Sequence, residues 1–167
     1  MSTETPFSHL DAAGRVRMVD VSQKAVTRRV AEASCRVELS AATSARLGDL
    51  PKGDAVAVAR LAGIQGAKRT AELIPLAHPL PLDQVEVEVT PGDAGVVIRS
   101  RVVTTGRTGA EMEALVACST AALALYDMVK AVERGAVVTD LRLDTKSGGK
   151  SGDWQRPQPA VAERETP

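Results

Sequence analysis

The sequence predicts an α+β chain: an antiparallel sheet that carries its helices on one face. Three observations lead there. Ala31, Ala33, Cys35, Val37 and Leu39 alternate with Glu32, Ser34, Arg36 and Glu38, and Val85, Val87 and Val89 alternate with Glu86 and Glu88. A period of two belongs to strands with one dry face and one wet face. Pro91-Gly92-Asp93-Ala94-Gly95 is turn chemistry between two apolar runs, so the second and third strands form a hairpin. Two stretches of helical spacing separate the strands, and an antiparallel sheet needs them to cover only one of its faces.

Taken in order, residues 1 to about 27 read as an irregular arm broken at Gly14, with Met18-Val19-Asp20-Val21-Ser22 as a short edge strand. Arg29 to Leu39 is the first long strand, and Ser40 caps a short helix reaching Leu47. Pro51-Lys52-Gly53-Asp54 is a turn whose Asp54 caps a helix containing Val56, Val58, Ala59 and Leu61. Gly63 and Gly66 interrupt that helix, which resumes at Lys68 and ends near Pro75. Pro75, Pro79 and Pro81 stiffen the loop Leu76-Ala77-His78-Pro79-Leu80-Pro81. The hairpin comes next, with its return strand at Val96 to Thr104. Thr108-Gly109-Ala110-Glu111 has capping-box spacing and opens a long helix that stops at Arg134-Gly135. Met112, Leu115, Val116, Leu123 and Tyr126 are its expected buried stripe. Val137 to Leu143 is the last strand, and residues 155–167, with Pro157 and Pro159, are expected to be a disordered tail. Residues 1–154 therefore form a single domain. Its order, β, helices, β, β, helix, β, is the split βαβ order of ferredoxin-like folds.

Composition sets limits. The chain has 167 residues, with 21 Lys and Arg balanced by 21 Asp and Glu. A general nucleic-acid binder carries a basic excess, so that class is set aside. Phe7, Tyr126 and Trp154 are the whole aromatic set, which leaves no stacking platform for single strands. The core must be built from Ala, Val and Leu, and association of copies is one way to bury more of it. Cys35 and Cys118 form no CxxC pair, and His9 and His78 are the only histidines. Neither a disulfide scaffold nor a metal site is expected, and no cofactor. Met1 to Pro6 has no apolar signal core, and the apolar run Ala114 to Tyr126 is too short to span a bilayer. The reading is a soluble cytoplasmic protein with no membrane partner.

Chemistry concentrates on the long helix and on the glycine-rich basic segment near the C-terminus. Glu113 and Asp127 fall within about 40° of each other on one face, separated by Ala117, Thr120 and Ala124. Asp127 and Lys130 are neighbours at i, i+3. A surface ion pair is one reading of them; an acid–base pair at the floor of a site is the other. Lys146-Ser147-Gly148-Gly149-Lys150-Ser151-Gly152-Asp153 invites a P-loop reading that fails, because Asp144 stands where GxxxxGK[ST] needs glycine and no helix comes after it. Glycines with exposed N–H groups beside two ammonium groups still suit a phosphate chain. Lys52 leads into a helix, Arg60, Lys68 and Arg69 lie along it, and Arg28 and Arg29 open the first strand. Either Arg28 or Arg29 has the fork for a bidentate phosphate contact. His78 sits in the stiff proline loop, which suits a positioned ligand contact.

These residues together resemble a known family. The blocks are Met18 to Ser22, Lys52-Gly53-Asp54, Ala62-Gly63-Ile64-Gln65 with Ala67-Lys68-Arg69-Thr70, Leu73 to Leu76 with His78-Pro79-Leu80, Thr108-Gly109 with Glu111 to Leu115, Tyr126-Asp127-Met128 with Lys130-Ala131-Val132, and Lys146 to Asp153. They follow the pattern of cyclic pyranopterin monophosphate synthases, the MoaC-type enzymes of molybdenum cofactor biosynthesis. Ala77 departs from it where the family often has Cys. The resemblance implies conversion of 3′,8-cyclo-7,8-dihydroguanosine 5′-triphosphate to cyclic pyranopterin monophosphate with release of diphosphate. It also implies a ferredoxin-like fold and a homohexamer, a trimer of dimers, with its site at a subunit interface. It gives Asp127 the catalytic acid/base place, with Lys130 and Lys52 as essential lysines. Leu76, Ala77, His78, Met112 and Glu113 match substrate-binding segments, and Arg29, Lys68, Lys146 and Lys150 match positions around the substrate and its triphosphate. The competing reading is a nucleotide-binding regulatory module of the same fold without chemistry.

Overall fold

The structure is a computed structural model that describes residues 9–10 and 13–157. Its sheet is antiparallel throughout, in the order β2-β3-β1-β4-β5. β1 (Thr27–Glu38) and β3 (Gly95–Gly106) are central and stay in register from Thr27 opposite Gly106 to Val37 opposite Val96. β2 (Leu82–Gly92) joins β3 through the two-residue loop Asp93-Ala94, with Gly92 opposite Gly95. Gly95 has φ +113°, and a Cβ there would strike the carbonyl of Val37, so this turn requires glycine. β4 (Val137–Ser147) flanks β1, and β5 (Trp154–Gln155) pairs with the end of β4. The α+β, ferredoxin-like order expected from the sequence is the observed one.

The helices are α1 (Ala41–Ser44), α2 (Ala55–Lys68), α3 (Thr70–Leu73) and α4 (Glu111–Val129). Ser40 caps α1 by accepting from Thr43 N–H, and Asp54 caps α2 by accepting from Ala57 N–H at 3.0 Å. The inward residues of β1 (Ala31, Ala33, Cys35, Val37) and β3 (Val96, Ile98, Val102) meet Ala114, Ala117, Cys118, Ala121 and Leu125 of α4 in the core. α4 is long and apolar enough to cross a membrane by length and composition, but it serves here as the core helix.

Gly63 and Gly66 do not interrupt α2, which runs unbroken past both. They form its contact with α4. A Cβ on Gly63 would stand 2.9 Å from the Ala117 carbonyl oxygen and 3.1 Å from both Val87 methyls, and one on Gly66 would strike the Thr120 hydroxyl. Close approach of the two helices outweighs the helix propensity that glycine costs.

Other expectations are corrected as well. The capping box does not form: Ala110 is the N-cap of α4, with no side-chain cap, and the Glu111 carboxylate reaches Lys146 instead. α4 ends at Val129 with Lys130 as its C-cap, a turn before Arg134-Gly135. The buried face is the small-residue one, while Leu123 is 64% and Met112 37% exposed. Val116 of the expected stripe is buried, and Leu115 and Tyr126 pack partly buried against the core, so only Met112 and Leu123 turn outward, where small residues make the contacts with the sheet and with α2. Met18 to Ser22 forms no strand; Ser22 N–H donates to Asp20 Oδ1 at 2.8 Å, and the Val19 carbonyl lies against His78. Gln155 and Arg156, placed by the sequence in the tail, bond to β4, with Gln155 opposite Thr145 and Arg156 N–H donating to the Asp144 carbonyl at 2.8 Å. Residues 158–167 of that expected tail lie outside the described residues.

The α2–α4 seam is testable by adding one methyl. Gly63→Ala gains about 1 kcal/mol of helix propensity but overpacks against a backbone oxygen, at about 1–3 kcal/mol. The expected result is a lower melting temperature; an unchanged or raised one in a thermal scan would mean the seam is looser than described.

Candidate functional site

One cluster forms at the C-terminal end of α4. Lys52 sits in the turn before α2, which is closed by Gly53 N–H donating to the Leu50 carbonyl at 2.8 Å. Its Nζ donates to Asp127 Oδ2 at 2.8 Å and to the Asp127 backbone carbonyl at 2.6 Å. Lys130 Nζ lies 2.7 Å from Asp127 Oδ1. Each carboxylate oxygen therefore holds one ammonium. The Asp127 carbonyl is among the last four of the helix, which have no partner inside it, so Lys52 also serves the helix end. The hydrogen bond from Lys130, then that from Lys52, hold the Asp127 carboxyl down at about 2. Asp127 in turn raises Lys130. The three side chains lie open to solvent, Lys52, Asp127 and Lys130 being 38%, 55% and 51% exposed.

A second cluster forms at the N-terminal end of α4. Leu76, Ala77, His78, Met112 and Glu113 line a cavity of about 410 Å³, which the arm covers with Val19, Val21 and Lys24. His78 Nε2 is 2.9 Å from the Val19 carbonyl, a bond that ties the proline loop to the arm. Glu113 is 4% exposed. Its burial, with the Glu111 charge adding to it, pushes the carboxyl up to about 7. Lys68 lines a smaller cavity of about 180 Å³ that shares Leu80 and Glu113 with the first.

The glycine loop after β4 borders this second cluster. Lys146 Nζ is 3.2 Å from Glu111 Oε1 and donates to Ser151 Oγ at 2.9 Å. Gly148 N–H donates to Asp153 Oδ1 at 3.1 Å, and Gly152 N–H to the Gly149 carbonyl at 3.2 Å. Gly148, Gly149 and Gly152 have φ +88°, +76° and +65°. Arg29 packs on Gly149 and donates Nε and Nη2 to the Gly106 and Arg107 carbonyls, each at 3.1 Å. Part of its fork thus holds the connection after β3 rather than facing outward. Lys150 is exposed beside Gly149.

The structure brings together Asp127, Lys130 and Lys52 at one end of α4. At the other end it places Leu76, Ala77, His78, Met112, Glu113 and Lys68, with Lys146, Arg29 and Lys150 on the neighbouring loop and strand. Glu113 and Asp127 are 14 residues apart on the helix, about 21 Å at 1.5 Å per residue. Sequence reading gives no site role to Lys24, Glu111 or Asp153. Its spacing assigns Glu111 to a cap, and Lys24 lies in an irregular arm whose path no local pattern reports. Asp153, closing the glycine loop, is legible as an Asx-type acceptor after glycines. Among the described residues, no group of three or more His, Cys, Asp or Glu is placed to hold a metal ion.

The raised Glu113 pKa has a stability consequence. The native state keeps a proton that the unfolded chain releases near 4.5, so stability is fully present below about 4.5 and falls as pH rises through about 7. Glu113→Gln removes this loss. Its melting temperature relative to the parent should climb between pH 4.5 and pH 8; a constant difference across that window would show that Glu113 ionises as it does in water.

A family model described as the MoaC family matches residues 18–149. Three proteins named cyclic pyranopterin monophosphate synthase are among those this chain resembles. The one from Streptomyces griseus is 56% identical over 161 residues, covering 95% of this chain and 91% of the relative. The one from Streptomyces avermitilis is 57% identical over 152 residues, covering 90% and 89%. The one from Chloroflexus aggregans is 56% identical over 158 residues, covering 92% and 96%.

Proposed function

The chain belongs to the MoaC family, and from that premise we propose that it is a cyclic pyranopterin monophosphate synthase of molybdenum cofactor biosynthesis. Its substrate is 3′,8-cyclo-7,8-dihydroguanosine 5′-triphosphate, and its products are cyclic pyranopterin monophosphate and diphosphate. The observation that carries the site assignment is Asp127 held between Lys130 at 2.7 Å and Lys52 at 2.8 Å. Rearranging a purine into a pterin moves protons on and off ring atoms, which needs an acid and a base side by side. Making a cyclic monophosphate from a triphosphate needs a hydroxyl oxygen to attack the α-phosphorus while its bond to the diphosphate oxygen breaks. The developing charge on diphosphate calls for fixed cations. In this reading Asp127, Lys130 and Lys52 serve the proton steps. Lys146, Lys150, Lys68 and Arg29 hold phosphates, and Leu76, Ala77, His78, Met112 and Glu113 hold the nucleoside part.

These groups serve one substrate only if copies of the chain combine. Within one copy the two clusters sit at opposite ends of α4. Exposed apolar side chains, Leu123 at 64% and Val132 at 49% close to Asp127 in sequence and Leu61 at 68% on α2, support burial against a partner. We take the assembly to be a homohexamer, a trimer of dimers working in the cytoplasm, in which Asp127 of one copy faces Lys146 of another.

Two experiments test this. Lys130→Ala should melt like the parent yet release diphosphate from the pre-cyclised substrate about 10² to 10⁴ times more slowly. Near-normal turnover would remove Lys130 from the chemistry, and a protein that binds the substrate and returns it unchanged would be a sensor. Asp127→Asn and Lys146→Ala should each be inactive alone. After subunit exchange a shared site predicts recovery toward about one quarter of parental activity, whereas a site contained in one copy predicts none.

A further inference from the structure

We propose that Glu111 is an exchangeable counter-ion for Lys146, whose carboxylate occupies in the free enzyme the place that a substrate phosphate takes on binding. The inference rests on the proposed role of Lys146 as a phosphate-holding residue.

Three observations carry it. The ion pair, 3.2 Å from Lys146 Nζ to Glu111 Oε1, is sheltered, with side chains 25% and 30% exposed. A carboxylate here meets less water than at the open surface, so it competes effectively with another anion for the same ammonium. Glu111 also stands in the first turn of α4, where the helix field favours negative charge. A phosphate placed there would draw on the same field and on helix N–H groups that no side chain caps. The third observation is Gly109. Its φ lies outside the left-handed region, and yet a Cβ there would strike the Glu111 carboxylate. The backbone does not require glycine at 109, but a side chain there would displace the folded-back carboxylate. The room for this contact is thus built into the chain.

The consequence is a trade. An arriving polyphosphate takes over Lys146, while Glu111 is released toward solvent. When diphosphate forms, Glu111 repels it and recaptures Lys146, which favours departure of the product. Lys146 keeps its link to Ser151 Oγ at 2.9 Å during the exchange, so the ammonium does not wander.

The probe is inorganic diphosphate, titrated into the intact protein at fixed ionic strength by calorimetry. Trp154, the single tryptophan and the cross-strand partner of Lys146, serves as a fluorescence check. Glu111→Gln should bind diphosphate about two- to fivefold more tightly than the parent, and its turnover should be more sensitive to added diphosphate. Gly109→Ala pushes the carboxylate off Lys146 without removing its charge and should shift affinity in the same direction by less. It also carries the test if Glu111→Gln does not fold. Lys146→Ala should weaken binding. If Lys146→Ala weakens binding while neither other variant tightens it, Glu111 is only a structural partner and the exchange is wrong. If Lys146→Ala leaves binding unchanged, the assignment of Lys146 to phosphate fails, and the exchange with it.

Discussion

Close contact between α2 and α4 fixes everything else in this molecule. Gly63 against the Ala117 carbonyl and Gly66 against Thr120 let the two helices approach nearer than any larger residue would allow. Helices held that closely cannot slide, because each neighbouring turn carries side chains that would collide. The seam therefore sets both ends at once. Lys52, just before α2, lands on Asp127 at the end of α4. Ala67 and Lys68, at the end of α2, land beside Glu113 at the start of α4. A core of Ala, Val and Leu with almost no aromatic residues is what such an approach demands, and the chain has that core.

α4 carries two acids that the fold tunes in opposite directions. Glu113 is buried, so water cannot stabilise its charge, and it holds its proton up to about 7. Asp127 is open to solvent and clamped by two ammonium groups, and it stays ionised down to about 2. Within one copy the two carboxyl groups lie about 21 Å apart along the helix, so each is tuned for its own cluster. The tuning comes from position alone: the same residue class at the sheltered start and at the exposed end of one helix acquires different chemistry.

Much of this is legible in the sequence, for identifiable reasons. Period-two alternation in β1 and β2 is a local signal, and so are the Ser40 and Asp54 caps and the Gly95 turn; each matches the fold. The Asp127–Lys130 pair is readable from helical spacing, and Lys52 from its resemblance block. The features that escape such reading depend on partners distant in sequence. Helical spacing cannot say that α4 has two buried contacts rather than one, so it points Leu123 and Met112 inward. Capping spacing cannot say that Lys146, 35 residues further on, claims Glu111. Gly63 and Gly66 look like helix breakers because nothing local shows the helix they pack against.

The clamped state of Asp127 constrains the chemistry it can perform. A carboxylate held near 2 is a poor base at neutral pH, since a proton placed on it has to break a hydrogen bond to Lys130 or Lys52. Asp127 gains basicity only when one of those ammonium groups is drawn to another anion. The Lys52 and Lys130 ammonium groups lie on separate carboxylate oxygens, so either can leave while the other keeps Asp127 oriented. Lys52 retains a bond to the Asp127 carbonyl at 2.6 Å, which makes Lys130 the easier one to surrender. In the proposed reading, a substrate anion that attracts Lys130 would free one oxygen of Asp127 and make it the stronger base, whereas in the free protein both ammonium groups remain paired with it.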